Sequence, residues 1–320
     1  MVAFFISNYF IKLNFEITIL GCGSALPVVH RNPTAQLISI ANKNYLVDCG
    51  EGTQLALRNN HAKLQKMSAI FISHLHGDHY LGLMGLVSSL NLLGRTNPLT
   101  IIGPPQLEKI LQLHFSVSKA KVQFELTFLP TKDDKDYLVF EDKSISVYSF
   151  PLRHRVPCTG FKFIEKQKKA NIIKSKIAFY NIPVKQIKQI KAGADFIDNE
   201  GKVIPNKNLV IPAPKPRSYA FCSDTIYEPN IVNYIKEVDL LYHESTFLED
   251  LKDRAIKTFH STAKDAATIA KDAKVGRLIL GHYSARYTNT DGFLEEAVSV
   301  FENTELAEDS KVFFIDNQLI

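Results

Sequence analysis

Three imidazoles and one carboxylate fall within six residues, His74-Leu75-His76-Gly77-Asp78-His79, directly after the apolar run Ala69-Ile70-Phe71-Ile72-Ser73. That order constrains the fold. A short apolar, β-prone run reads as a buried strand, and a strand delivers the residues after it to the edge of a sheet. Gly77 lets the chain turn there. His74 and His76 lie two apart and share one side of an extended chain end. Asp78 and His79 follow the turn and can face a second ion. Imidazole with carboxylate suits Zn²⁺, Mn²⁺ or Fe better than Mg²⁺ or Ca²⁺, which prefer oxygen alone. A surface loop that happens to be histidine-rich is the plainer alternative. The rest of the chain argues against it by supplying further ligands.

Those ligands recur with the same local grammar. Ser144 to Phe150 leads shortly to His154, Tyr219 to Ser223 ends at Asp224, and Arg277 to Gly281 ends at His282. Each run is apolar and β-prone, and each closes on one metal-competent side chain. Ligands at strand ends are held by a rigid sheet, as a metal site requires. The set is His74, His76, Asp78, His79, His154, Asp224 and His282. Seven is too many for one tetrahedral Zn²⁺ and right for two ions sharing a bridging carboxylate.

At this point the chain resembles the metallo-β-lactamase superfamily and, within it, the ribonuclease Z family of tRNA 3′-processing endonucleases. The resemblance runs from about Phe15 to Ile320. It rests on Gly21-Cys22-Gly23-Ser24-Ala25-Leu26-Pro27, on Asp48-Cys49-Gly50-Glu51-Gly52-Thr53-Gln54 and on the metal box. It continues in Ser223-Asp224-Thr225, His243-Glu244-Ser245-Thr246-Phe247, His260-Ser261-Thr262 and Gly281-His282-Tyr283-Ser284-Ala285-Arg286-Tyr287. The metal box alone indicates only the superfamily; the His243 and His260 segments point to the tRNA-processing branch. The resemblance implies a four-layer αββα sandwich with the metals at one edge between the sheets. It implies two zinc ions per chain, with Mn²⁺ or Fe as alternatives. By the same resemblance His74, His76 and His154 are expected to hold one ion and Asp78, His79 and His282 the other, with Asp224 bridging them. Asp78 is the expected general base. His260 is the expected proton donor to the leaving ribose 3′-oxygen, with Glu244 orienting it through its other ring nitrogen. Asp48 is expected to support the metal loop. His243 reads equally as a supporting or a structural residue, and His30, His61 and His114 as ordinary surface or packing residues.

Apolar and helical patterns agree with an α/β chain. Phe15 to Leu20, Gln36 to Ile40, Asn44 to Val47, Ala69 to Ile72, Leu99 to Ile102 and Val238 to His243 read as strands. Tyr80 to Leu93, Pro105 to Phe115 and Thr262 to Ala273 read as helices, the last capped by Ser261 or Thr262. The first 14 residues are apolar without a basic leader or a cleavage site, and read as an N-terminal extension. The metallo-β-lactamase-like domain is expected over 15–320. No apolar run approaches the ~20 residues that span a bilayer. Cys22, Cys49, Cys158 and Cys222 show no Cys-x-x-Cys spacing and read as reduced thiols. A cytoplasmic homodimer with no membrane association is the expectation.

Charge sets one segment apart. Lys162 to Lys191 carries nine lysines against the single acid Glu165, a net +8, while the whole chain is only +5. The remainder is therefore net acidic. A solvated lysine-rich helix is the common fate of such a run. A basic segment between the ligands His154 and Asp224 is also where the resembled family carries its protruding tRNA-binding arm, and charge of this density binds a phosphate backbone. The arm is expected at about 161–216, closing on the stiff return Ile211-Pro212-Ala213-Pro214-Lys215-Pro216. Lys168, Lys169, Lys185 and Lys188 are its expected RNA contacts, and precursor tRNA the expected partner. Cleavage is expected to leave a tRNA 3′-hydroxyl and a 5′-phosphorylated trailer. A phosphodiesterase or arylsulfatase acting on small esters is the alternative, though a small substrate needs no basic arm. Near the N-terminus, Pro27, Arg31 and Asn32 match the family's Pro-x-Lys-x-Arg-Asn loop, so Arg31 and Asn32 are candidate RNA contacts. Val29 replaces the lysine, and Ile182-Pro183-Val184-Lys185 stands where many members have Gly-Pro. The expectation is intact hydrolysis with weak discrimination against precursors that encode CCA.

Overall fold

The computed structural model describes residues 15–132 and 134–316. The expected extension at 1–14 lies outside the described residues. Contacts divide the chain into two units, one of residues 15–164 with 218–316 and one of Glu165–Arg217.

The larger unit is built on two seven-stranded mixed sheets. The first runs in the order Val312–Phe314, Phe15–Gly21, Ala35–Ile40, Lys43–Val47, Met67–Phe71, Leu99–Gly103, Leu126–Pro130. Its last four strands are parallel. Alternation along these strands sorts side chains between two cores. Ile17, Ile38, Tyr45, Val47, Ala69 and Phe71 join the second sheet in one cluster. Leu37, Leu46, Ile70, Ile72 and Ile101 join the helices Thr53–Asn59, Leu83–Leu92 and Gln106–Val117 in another. A sheet covered on both faces explains why Ala69 to Ile72 reads as an unbroken apolar run. Phe71 meets Phe140, Phe161 and Phe163 edge-on at 5.1–5.7 Å, which ties the two sheets together.

The second sheet runs Thr304–Leu306, Leu278–Gly281, Leu240–Glu244, Ser218–Cys222, Cys158–Glu165, Ile145–Leu152, Tyr137–Glu141. Its first four strands are parallel. The helix Ala263–Asp272 packs on its outer face, with Ile231–Ile235 and Asp291–Val298 beside it. Helices, sheet, sheet, helices make the αββα sandwich. Parallel strands present their carboxyl ends on one edge, where α/β sheets bind ligands. Asp48, Ser73 and His74 follow two such strands of the first sheet. Glu244, Asp224 and His282 end or follow three of the second. No helix among the described residues is long and apolar enough to cross a membrane.

One helical detail differs from expectation, and a second falls within it. The Tyr80 to Leu93 helix starts earlier, as a turn over Gly77–Tyr80, breaks, and resumes at Leu83–Leu92. At the break Gly82 donates its N–H to the Cys49 carbonyl oxygen, and a Cβ at Gly82 would lie 2.1 Å from the Gly50 oxygen. Glycine permits that approach. Thr262, rather than Ser261, caps the later helix, in a reciprocal box with Asp265.

The smaller unit has its own core of Ile182, Ile190, Phe196, Ile204, Leu209 and Val210. It holds two short helices, Lys174–Phe179 and Val184–Ile190, and two pairs of two-residue strands. Its ends are clasped by a buried bidentate pair: Arg217 donates to the two Glu165 oxygens at 2.9 and 3.0 Å.

Candidate functional site

All seven sequence-singled ligands gather at the carboxyl edge of the sheets. His74, His76, His154 and Asp224 form one group, and Asp78, His79 and His282 a second; a third, overlapping group contains Asp224, His260 and His282. The ligand-type atoms within each group lie within 4.8 Å of one another. Asp224 turns its two oxygens to different groups. Oδ2 stands 3.7 Å from both His74 Nε2 and His154 Nε2. Oδ1 stands 3.4 Å from His79 Nε2 and 3.1 Å from His282 Nε2. Asp78 Oδ2 lies 3.4 Å from His79 Nε2 and 3.5 Å from His282 Nε2. His76 joins through Nδ1, 3.0 Å from His74 Nε2 and 3.2 Å from His154 Nε2.

These atoms fit a metal. His79 Nε2, His282 Nε2 and Asp224 Oδ1 are buried without a hydrogen-bond partner among the described residues. A buried acceptor left so costs about 1–3 kcal/mol, and three converge here. Separations of 3.1–3.7 Å suit the edges of a coordination shell of radius ~2.0–2.1 Å. Electrostatics point the same way. Burial alone would push the Asp78 and Asp224 carboxyls up, yet the surrounding imidazoles hold both well below the carboxylate range. Burial holds the His74, His76 and His154 imidazoles down, hence neutral and able to donate a lone pair. Burial would also lower His79, but Asp78, Asp224 and Asp48 together raise it, so positive charge is favoured at that point.

Several of the imidazoles are held from behind. His154 donates from Nδ1 to the Phe259 carbonyl oxygen at 2.8 Å. Phe259 ends the helix Lys252–Thr258 in the left-handed region, φ 58°, which carries His260 on toward the cleft. His79 donates from Nδ1 to Asp48 Oδ2 at 2.7 Å. Asp48 and His282 themselves hold φ of 54° and 62°, backbone strain of the kind that clusters at functional sites. His260 Nδ1 lies 2.9 Å from Glu244 Oε1 and 4.0 Å from Asp224 Oδ2. Burial opposes charge on His260, but the buried Glu244 carboxylate raises its pKa to about 9. The Glu244 carboxylate is fully engaged: it also accepts from the backbone of Thr225, Thr246 and Ser261.

The site opens into a cleft of about 460 Å³ lined by Ala25, Glu51, Asp78, Arg155, Asp224 and His260, among others. Asp78 Oδ2 accepts the Ala25 N–H at 2.7 Å. The other residues singled out in the sequence are dispersed. His30, His61 and His114 are exposed, and His243 is buried, donating from Nδ1 to the Glu244 carbonyl oxygen. Arg31 donates to the Tyr287 carbonyl and lies over the Tyr283 ring; Asn32 donates to the Leu20 carbonyl. In the smaller unit Lys169, Lys185 and Lys188 are exposed, and Lys168 pairs with Glu165. All four cysteines are free and buried. Sequence reasoning missed the hydroxyls of Ser73 and Thr246, which touch the ligand imidazoles. Their adjacency to His74 and to the His243-Glu244 pair was the one available signal, and serines and threonines are too common for it to single them out.

A family model described as "Anti-Pycsar protein Apyc1" matches residues 15–173. A ribonuclease Z of Parabacteroides distasonis is 48% identical over 296 residues, 92% of this chain and 97% of that protein. One of Bacteroides thetaiotaomicron is 45% identical over 303 residues, 95% of this chain and 96% of its own length. Among solved structures, the short form of human tRNase Z aligns with a TM-score of 0.68 at 27% identity, over 93% of this chain and 98% of that one. The metallo-β-lactamase fold protein YhfI of Bacillus subtilis aligns at 0.66, over 94% and 99%; at 18% identity that likeness speaks for the fold alone.

Proposed function

Since this chain belongs to the ribonuclease Z family, and is thereby a tRNA-processing, phosphodiester-hydrolysing endonuclease, we propose that it cuts precursor tRNA after the discriminator base. The products are a tRNA 3′-hydroxyl and a 5′-phosphorylated trailer. The observation that carries the reading is Asp224, with one oxygen toward His74 and His154 and the other toward His79 and His282.

In this reading His74, His76 and His154 would hold one zinc ion and Asp78, His79 and His282 the other, with Asp224 available to both; Mn²⁺ or Fe would suit the same donors. When bound, such a pair polarises a phosphoryl oxygen and makes water acidic. Asp78 takes the proton of the attacking water. Its Oδ2 accepts from the Ala25 N–H. His260, held cationic by Glu244, gives its Nε2 proton to the ribose 3′-oxygen as the phosphorus–oxygen bond breaks. The exposed Lys169, Lys185 and Lys188, with Lys168, meet the phosphate backbone. Arg31 and Asn32 brace the loop whose residue Val29 is 95% exposed, and without a lysine there rejection of CCA-containing precursors is weak. The enzyme is taken to be a cytoplasmic homodimer. A small-ester phosphodiesterase or arylsulfatase would leave the lysine-rich unit unused.

Deleting Lys166 to Lys191 separates the two readings. All seven metal-site residues and His260 lie outside the deletion. Binding of a 3′-extended tRNA should weaken and lose salt dependence, while hydrolysis of a chromogenic phosphodiester survives. Equal loss of both activities would make the segment structural.

A further inference from the structure

Two buried carboxylates, one belonging to each sheet, use the same device. Asp48 accepts directly from His79 Nδ1 at 2.7 Å and from the Ser73 hydroxyl at 2.9 Å; that hydroxyl lies 3.0 Å from His74 Nδ1. Glu244 accepts directly from His260 Nδ1 at 2.9 Å and from the Thr246 hydroxyl at 2.8 Å; that hydroxyl lies 2.9 Å from His282 Nδ1. Ser73, Thr246 and both carboxylates are buried. Ser73 Oγ also lies 2.9 Å from the Ser223 hydroxyl, and Thr246 Oγ1 3.2 Å from His260 Nδ1; both of these neighbours can donate to it. A hydroxyl has one proton. Given to the imidazole, it would leave two oxygens bearing only lone pairs face to face at 2.8–2.9 Å, out of water. Given to the carboxylate, it leaves the hydroxyl oxygen to accept from the ring. His74 and His282 must then carry their proton on Nδ1, which frees Nε2. Those are the atoms that face Asp224.

We propose that Ser73 and Thr246 are positioning residues: carboxylate–hydroxyl–imidazole relays that lock His74 and His282 in the one tautomer able to bind a metal through Nε2. The inference rests on the metal-site reading above, but not on the substrate. The two relays also cross-link the site. The Asp48 relay reaches one histidine from each metal group. The Glu244 relay joins the ligand His282 to the proton donor His260, so one buried carboxylate orients both. Tautomer locking by outer hydrogen bonds is worth roughly 10–100-fold in metal affinity.

The test uses Zn²⁺ alone. Zinc-loaded wild type, Thr246→Val and Thr246→Ser are titrated with a competing chelator, and bound zinc is counted by elemental analysis. Thr246→Val, close in shape but without the hydroxyl, should lose roughly 10–100-fold in affinity for one ion of the pair. Thr246→Ser should stay close to wild type. A folded Thr246→Val that keeps wild-type affinity, or a Thr246→Ser as weak as valine, would overturn the proposal. Should Thr246→Val not fold, long-range ¹H–¹⁵N spectra of the wild type decide. His74 and His282 are expected as Nδ1–H tautomers, and finding either as Nε2–H refutes the relay. Failure to cut precursor tRNA would leave these zinc and tautomer readouts unchanged, so the two readings fail separately.

Discussion

Removing the Asp224 carboxylate takes an oxygen donor from two clusters of imidazoles at once. Elemental analysis of protein purified without chelator should find close to two zinc-class ions per chain, and fewer in Asp224→Ala. Activity should fall with them by roughly 10³-fold, the scale on which loss of a transition-state charge partner acts. One tight ion with full activity would contradict the two-metal site. His260 makes a different prediction because it is not among the seven singled-out ligands. His260→Ala should retain both ions and lose roughly 10²–10⁴-fold in turnover on RNA. The loss should shrink on an ester whose leaving group needs no proton. A variant that fails only by losing metal would show that His260 is a ligand rather than a proton donor.

At the scale of elements, the buried pair clasping the lysine-rich unit carries a pH prediction. Burial would raise the Glu165 carboxyl, but Arg217 and Lys168 outweigh it and hold its pKa below the ordinary glutamate value. A depressed folded pKa means that the pair's stabilisation is complete above the ordinary value and is lost as pH falls through the depressed one. Hydrogen-exchange protection of residues 165–217 should therefore drop on acidification, and Glu165→Gln should abolish that pH dependence. Protection that ignores pH, or an unchanged dependence in Glu165→Gln, would assign the clasp no such role. Strands leading to ligands are legible in the sequence, because an apolar run ending on His or Asp reports both the strand and what it carries. The αββα order is not: periodicity gives elements, and only the resemblance gives their stacking. The break at Gly82 is hidden because it follows from backbone contacts with Cys49 and Gly50, some 30 residues away. The Ser73 and Thr246 hydroxyls are hidden for the same reason. Their partners meet only once strands far apart in the chain lie side by side.

Across the whole molecule, chemistry and charge are segregated. The ligands and His260 belong to the larger unit, while most of the excess lysine belongs to Glu165–Arg217. A phosphate-rich macromolecule needs both, whereas a small ester needs only the first. Family membership assigns the chain to tRNA processing, and the claim most exposed to experiment is where it cuts and by what chemistry. Zinc-loaded protein should be incubated with a 3′-extended precursor tRNA, and both fragments mapped to the nucleotide with their ends identified. One endonucleolytic cut is expected after the discriminator base, with a tRNA ending in a 3′-hydroxyl and an intact trailer beginning with a 5′-phosphate. A trailer released nucleotide by nucleotide, or a tRNA fragment bearing a 3′-phosphate, would contradict it.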